Sequence, residues 1–238
     1  MVTSIKFGIV AALERELQPL LRRCERMRTA ADFAFFEFRN AVVVCGGIGK
    51  SAATKASRAI VETYRPEILV SAGFAGAVRA DLKVADLLLA GEVMDTESGR
   101  RFSTTTGEGV LATITKIADR REKALLAAVG VSAVDMEAAA VARVAHERAL
   151  GFLALKAISD DADFAMPQVD RFVTAAGKFR LAAFLTHVAL RPAMWPKVRQ
   201  LAANSARAAF VLSEALDTLL REGTVGKTQI GAIVRVDA

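Results

Sequence analysis

The chain predicts an α/β fold, and three observations carry that prediction. Apolar runs short enough to be buried strands alternate with helical stretches of ten residues or more, and glycines or acids stand where several runs end. Hydrophobic residues make up 53% of the 238 positions, enough for one large core. Such alternation implies a mostly parallel sheet covered on both faces, with ligands beyond the carboxyl ends of its strands.

Lys6 to Ala12 reads as a buried strand that enters a helix over about Glu14 to Cys24. Ala41 to Cys45 is a second strand, followed by Gly46-Gly47-Ile48-Gly49 and a helix that Pro66 stops. Ile68 to Ala72 repeats the scheme and ends in Gly73-Phe74-Ala75-Gly76. Val84 to Ala90 is a further strand, and the polar interval from Gly91 to Gly109 is a loop or irregular hairpin. Glu137 to Ala149 is a helix and Phe152 to Ile158 a strand. Beyond Asp163 the pattern turns helical, over Val169 to Leu190 and, after Arg191-Pro192, from Met194 or Trp195 to about Arg221. Pro196 falls near that helix's start, where a missing N–H costs little. We expect one domain over 1–222 and a C-terminal tail over 223–238, whose β-like segment Gln229 to Val236 has no assigned place.

Charge and composition exclude several functions. The balance is +6, but the cations are dispersed over Arg22, Arg23, Arg26 and Arg28 and over Arg191, Lys197, Arg199 and Arg207, with Trp195 the single aromatic residue within either group. That pattern suits a solvated face better than nucleic acid, and leaves weak peripheral contact of the basic C-terminal helices with acidic membranes as a minor expectation. No apolar run approaches the roughly 18–20 residues of a membrane span, and the start lacks a secretory pattern, so a cytoplasmic protein is expected. Cys24 and Cys45 lack partners at metal spacing, and with His146 and His187 as the histidines we expect reduced thiols and no metal.

Gly46-Gly47-Ile48-Gly49-Lys50-Ser51 is not a P-loop, because Val44 stands where the first glycine belongs. Gly47-x-Gly49-x-x-Ala52 meets the loose dinucleotide pattern, yet the next strand closes on Ser71-Ala72 without the required acid. The acids are more informative. Glu14 and Glu16 complement a helix dipole, but directly after a buried strand Glu16 also stands at the sheet's carboxyl edge, as a candidate general base. Glu137 opens the small-faced helix Ala138-Ala139-Ala140, where an ionised carboxylate can accept from two vicinal ribose hydroxyls. Met136 can pack on the sugar or simply fill core. Asp160, Asp161 and Asp163 crowd a strand end, as caps, cation ligands or a functional acid.

Assembled, these residues resemble the purine and uridine phosphorylase superfamily, especially its 5′-methylthioadenosine/S-adenosylhomocysteine nucleosidase branch. Phe7 to Glu16 looks like the branch's opening, Gly47-Ile48-Gly49-Lys50 like its ribose-side loop, and Ala72-Gly73-Phe74-Ala75-Gly76 like its Thr-Gly-Ser-Ala-Gly strand end. Val134-Asp135-Met136-Glu137-Ala138 and Ala157-Ile158-Ser159-Asp160 are similar to its ribose and purine motifs. The resemblance implies a single-domain, three-layer α/β/α nucleoside phosphorylase-like fold with a mixed central sheet. It implies catalysis by Glu16, orienting or deprotonating water, and by Asp160, protonating purine N7. Ile48, Gly49, Phe74, Ala75, Gly76, Met136, Glu137, Lys156 and Ser159 would bind substrate, with no cofactor, and a homo-oligomer is expected.

Phe74 stands where the nucleosidases have serine, and Lys156 where they have arginine. Leu111 to Ile117, Glu122-Lys123 and Leu190 to Pro196 look closer to hopanoid-associated relatives proposed to cleave adenine from adenosylhopane. The expected activity is a nucleosidase acting on an adenine nucleoside such as methylthioadenosine, adenosylhomocysteine or a 5′-substituted adenosine. A phosphorylase using phosphate as co-substrate is the alternative, with Arg15, Lys50 and Arg79 as ligands; it is disfavoured because Ala11 to Arg15 replaces the Gly-Asp-Pro-x-Arg phosphate motif. A nucleoside-binding protein without turnover is the rival from another class.

Overall fold

The computed structural model describes residues 5–27, 33–163, 172, 174, 180 and 195–222. The helix expected over Val169 to Leu190, its break at Arg191-Pro192 and the C-terminal tail lie outside the described residues, apart from the isolated positions just given.

Four apolar strands make the parallel heart of the sheet: β1 (Phe7–Ala11), β4 (Ala41–Cys45), β5 (Ile68–Ala77) and β11 (Gly151–Asp160). β1 pairs with β4 and β5, and β11 lies along β5 from Gly151 opposite Ile68 to Asp160 opposite Gly76. Around them are β2 (Glu25–Met27), β3 (Phe35–Phe38), β6 (Leu87–Leu89), β7 (Glu92–Asp95), β8 (Arg101–Ser103), β9 (Val110–Thr113) and β10 (Val131–Asp135). The main path runs β2-β3-β4-β1-β5-β10-β9-β7-β8, while β11 and then β6 branch from β5. Antiparallel pairs are as prominent as parallel ones, so the sheet is mixed and the mostly parallel expectation from strand–helix alternation is corrected.

Helices cover both faces, giving three layers. α2 (Lys50–Tyr64) and α4 (Ala138–Glu147) bury small faces, Ala52, Ala53 and Ala56 against Ala138 to Ala142, over a core with Val10, Val42, Val44 and Leu69. The opposite face, carrying Phe7, Ile9, Val43, Val70 and Leu155, packs against α1 (Gln18–Leu21) and the long helix Trp195–Glu222 through Leu212, Leu216 and Leu219. Alternate residues of each strand feed opposite cores, which is why these strands read as unbroken apolar runs. Asp217, buried on the long helix, is held by Arg23 and Arg39, each at 3.3 Å, and by Arg221 at 3.0 Å. The largely exposed helix α3 (Arg120–Ala128) begins with a reciprocal cap between Asp119 and Glu122.

Several element boundaries differ from expectation for identifiable reasons. The helix expected over Glu14 to Cys24 is a 3₁₀ turn, Glu14–Glu16, followed by the single-turn α1. Pro19 has no N–H and its ring would collide with the carbonyl of a preceding helical turn, so the helix cannot run continuously. Gly73 to Gly76 does not end β5, because β11 keeps pairing through it. Val84 to Ala90 narrows to β6, since Ala85 takes a left-handed φ of 76°. The polar interval after Gly91 holds the hairpin β7–β8, with Val93 opposite Phe102 buried beneath exposed charges. Among the described residues, no helix is long and apolar enough to cross a membrane.

Candidate active site

The carboxyl ends of β1, β5, β10 and β11 converge on a cavity of about 650 Å³. Each end contributes a different piece. β1 runs into the 3₁₀ turn, whose last residue, Glu16, is only 8% exposed and receives the backbone N–H groups of Ala12 and Leu13 on Oε2, both at 3.2 Å. β5 brings Phe74, Ala75 and Gly76 to the wall. β10 is antiparallel to β5, with Val134 opposite Gly76, so Met136 and Glu137 reach the cavity from the opposing direction. β11 ends in Ser159 and Asp160.

Glu137 Oε1 accepts the N–H of Gly49 at 2.7 Å, across the gap between the α2 and α4 starts. Gly49 holds φ 95°, a region open to glycine, so the loop can aim this N–H at the carboxylate. Ile48 lines the cavity beside it, whereas Gly49 takes part through that hydrogen bond. Asp160 is 4% exposed; its Oδ1 accepts the Ser159 hydroxyl at 2.9 Å and its Oδ2 the Lys123 ammonium at 2.8 Å.

Lys156 is seated behind the cavity, 1% exposed, and does not form its lining. Its Nζ lies 2.9 Å from Asp135 Oδ2 and 3.0 Å from Ser71 Oγ. Burial alone would push this lysine down, but Asp135, Glu137 and Glu16 together hold it above its ordinary value. Asp135 in turn accepts from Thr113 Oγ1 at 2.7 Å and from the Ala138 N–H at 2.8 Å, capping α4. The lysine is therefore the base of the acidic cluster rather than one of its walls.

Burial drives both Glu16 and Glu137 toward the neutral form. Glu16 is raised by desolvation, partly offset by the Leu13 N–H and by Lys156. Glu137 is raised from 4.5 to about 8, first by desolvation and then by repulsion from Asp135, against the pull of Lys156. Glu137, poised this way, can exchange a proton near neutrality, as general acid–base chemistry requires.

Lys123 and the long helix are the parts of the cavity that sequence reasoning missed. Val198, Leu201, Ala202, Ala206, Ala209 and Phe210 form a largely apolar wall, with Ser205 among them. Lys50 is engaged by Asp95 at 2.9 Å and Arg79 by Asp81; of the three proposed phosphate cations, Arg15 alone lines the cavity. Among the described residues, no group of three or more His, Cys, Asp or Glu is arranged to hold a metal.

A three-layer α/β/α fold with a mixed sheet and three buried acids around one cleft defines a nucleoside phosphorylase-like enzyme. The family model described as the phosphorylase superfamily matches residues 6–115 and 98–189, and the chain belongs to that family. The chain is 25% identical, over 217 residues, to the 5′-methylthioadenosine/S-adenosylhomocysteine nucleosidase of Shewanella piezotolerans, covering 73% of this chain and 94% of the relative. It is 28% identical over 217 residues to the corresponding nucleosidase of Listeria innocua, covering 72% and 93%. Among solved structures, the futalosine hydrolase of Helicobacter pylori matches with a TM-score of 0.67 at 20% identity over 92% of this chain and 98% of that one. The S-adenosylhomocysteine nucleosidase of Streptococcus pyogenes, in complex with 5-methylthiotubericidin, matches with a TM-score of 0.59 at 24% identity over 67% and 85%.

Proposed function

We propose that the protein is a nucleosidase that hydrolyses the N-glycosidic bond of an adenine nucleoside bearing an apolar 5′ substituent. The observation that carries this reading is the opening of Glu16, Glu137 and Asp160 into one cavity whose far wall is the apolar face of the long helix. Glu137 and Met136 hold the ribose, Glu16 orients and deprotonates water at C1′, and Asp160 hands a proton to purine N7. Breaking C1′–N9 develops positive charge on the sugar and negative charge on the base, and the carboxylates and the acid answer these separately. Phe74 adds apolar surface in place of a hydroxyl, in keeping with the helix wall. A volume of about 650 Å³ falls in the range of roughly 300–1,000 Å³ that drug-sized ligands occupy, which leaves room for more than a nucleoside core. Adenosylhopane, with its long hydrocarbon 5′ group, fits this description, as does methylthioadenosine with a small one.

The names of the relatives support the nucleosidase reading. Hydrolysis is favoured over phosphorolysis because two of the three candidate phosphate cations are already engaged, Lys50 by Asp95 and Arg79 by Asp81. The test is a base-release screen over adenosine, methylthioadenosine, adenosylhomocysteine, inosine, guanosine, uridine and 5′-alkylthioadenosines of increasing chain length, each with and without phosphate. Adenine release without phosphate, with kcat/KM rising along the alkyl series, is expected. Strictly phosphate-dependent release would make the enzyme a phosphorylase, and calorimetric binding with no release from any substrate would make it a binding protein.

A further inference from the structure

We propose that Lys123, on α3, is a positioning residue that supplies the proton Asp160 passes to the departing purine; this rests on the nucleosidase reading above. Lys123 is 6% exposed although its helix is otherwise largely solvated. Its Nζ lies 2.8 Å from Asp160 Oδ2 and 3.2 Å from the Asp161 carbonyl. Ser159 occupies Asp160 Oδ1, so both oxygens of the acid accept hydrogen bonds, and the Lys123 ammonium holds a transferable proton within hydrogen-bond distance of one of them. An ammonium carries three donors, and these two contacts leave a third. The helix is pinned to the same strand end by a second cation, since Arg120 Nη2 donates to the Asp163 carbonyl at 3.0 Å.

Burying a lysine side chain costs rotamer freedom and hydration, and a carboxylate needs no buried cation to cap a strand. Placed beside the leaving group, the pair has a use. As C1′–N9 breaks, its electron pair goes to the purine. Starting from an ionised Asp160, Lys123 Nζ passes a proton to the carboxylate, which delivers it to N7, leaving a neutral amine, an ionised Asp160 and a neutral purine. Water adds to C1′ and yields its proton to Glu16, and solvent later carries that proton from Glu16 back to Lys123. Atoms and charge balance to nucleoside plus water giving purine plus sugar.

Two variants of the full chain test this, with wild-type adenine release measured first. Lys123→Arg keeps the positive charge beside Asp160, but a guanidinium does not release its proton, so kcat should fall about 100-fold, within the range of general acid catalysis, while adenine affinity stays within about threefold. Lys123→Ala should lose a similar amount, and ethylammonium in the assay should restore at least about tenfold of it, saturably. Wild-type kcat in Lys123→Arg would overturn the proposal, as would a Lys123→Ala loss that no small alkylamine restores, which would leave the lysine a structural anchor. If Lys123→Ala does not fold, Lys123→Arg decides alone. Wild-type protein that releases no base from any nucleoside would instead bring down the functional reading, and this inference with it.

Discussion

Asp160 and Glu137 meet very different surroundings, and substitutions at the two should therefore fail differently. Asp160→Asn removes the proton route at purine N7 while leaving the Ser159 and Lys123 side of the pocket occupied, so base release should fall about 100- to 10,000-fold, with nucleoside affinity much less changed. Single-turnover rates paired with calorimetry measure the two effects, and a near-normal rate would remove Asp160 from the chemistry. Glu137 has its carboxyl raised from 4.5 to about 8, first by burial and next by Asp135. The folded protein thus binds a proton that the unfolded chain releases, and the stability this contributes is full below about pH 4.5 and fades as pH climbs through about 8. Glu137→Gln, neutral throughout, should match the wild type near pH 5 and exceed it by on the order of 1–3 kcal/mol above pH 8. Urea midpoints at the two pH values check the sign. These acids were legible in the sequence because Asp160 stands where an apolar run ends and Glu137 opens a small-faced helix, both places where solvation is lost. Lys123 was not: Glu122-Lys123 on a charged helix looks the same whether the lysine faces water or a pocket, and only the fold turns it inward.

At the level of elements, β5 and the long helix divide the cavity between them. A Cβ on Gly76 would lie 2.9 Å from Asp160 Oδ2, so Gly76→Ala must push the acid aside from Lys123. We expect kcat to fall at least about tenfold with modest loss of stability, since the obstacle is the end of a side chain and not the core. Steady-state kinetics and a melting curve on the same sample distinguish this from simple unfolding. On the other wall, Ala206→Trp should fill the space against the long helix. It should raise KM for long-chain 5′-alkylthioadenosines at least about tenfold while leaving adenosine nearly unchanged, because only the former needs that surface. The helix itself was readable from its apolar spacing, with Leu212, Leu216 and Leu219 recurring every three or four residues. Its second role was hidden, because Val198, Leu201 and Ala202 follow the same spacing whether they meet a sheet or a ligand. The start of the chain misled for the opposite reason: acids and leucines over Glu14 to Cys24 have helical spacing, and Pro19 overrides it.

For the molecule as a whole, two cores on either side of one sheet make the site rigid from behind. Leu216, fully buried between the long helix and the sheet, should cost about 2–5 kcal/mol as Leu216→Ala, measured by denaturant unfolding. The α/β class was legible because strand–helix alternation is a property of contiguous residues. The mixed topology was legible only through the family resemblance, since the antiparallel pairing of β10 with β5 joins segments more than fifty positions apart, and their composition carries no mark of direction. One strand has a consequence beyond packing. A Cβ on Gly73 would lie 3.1 Å from Glu16 Oε2, and one on Gly76 meets Asp160, so these two buried acids are both gauged from β5, three residues apart. At roughly 3.3 Å of rise per residue, β5 serves as a ruler about 10 Å long, clamped by β11 along its whole graduated length. A relative that inserted or deleted a single residue between these glycines would change the span between its two acids, and with it the length of the bond-breaking unit it can straddle.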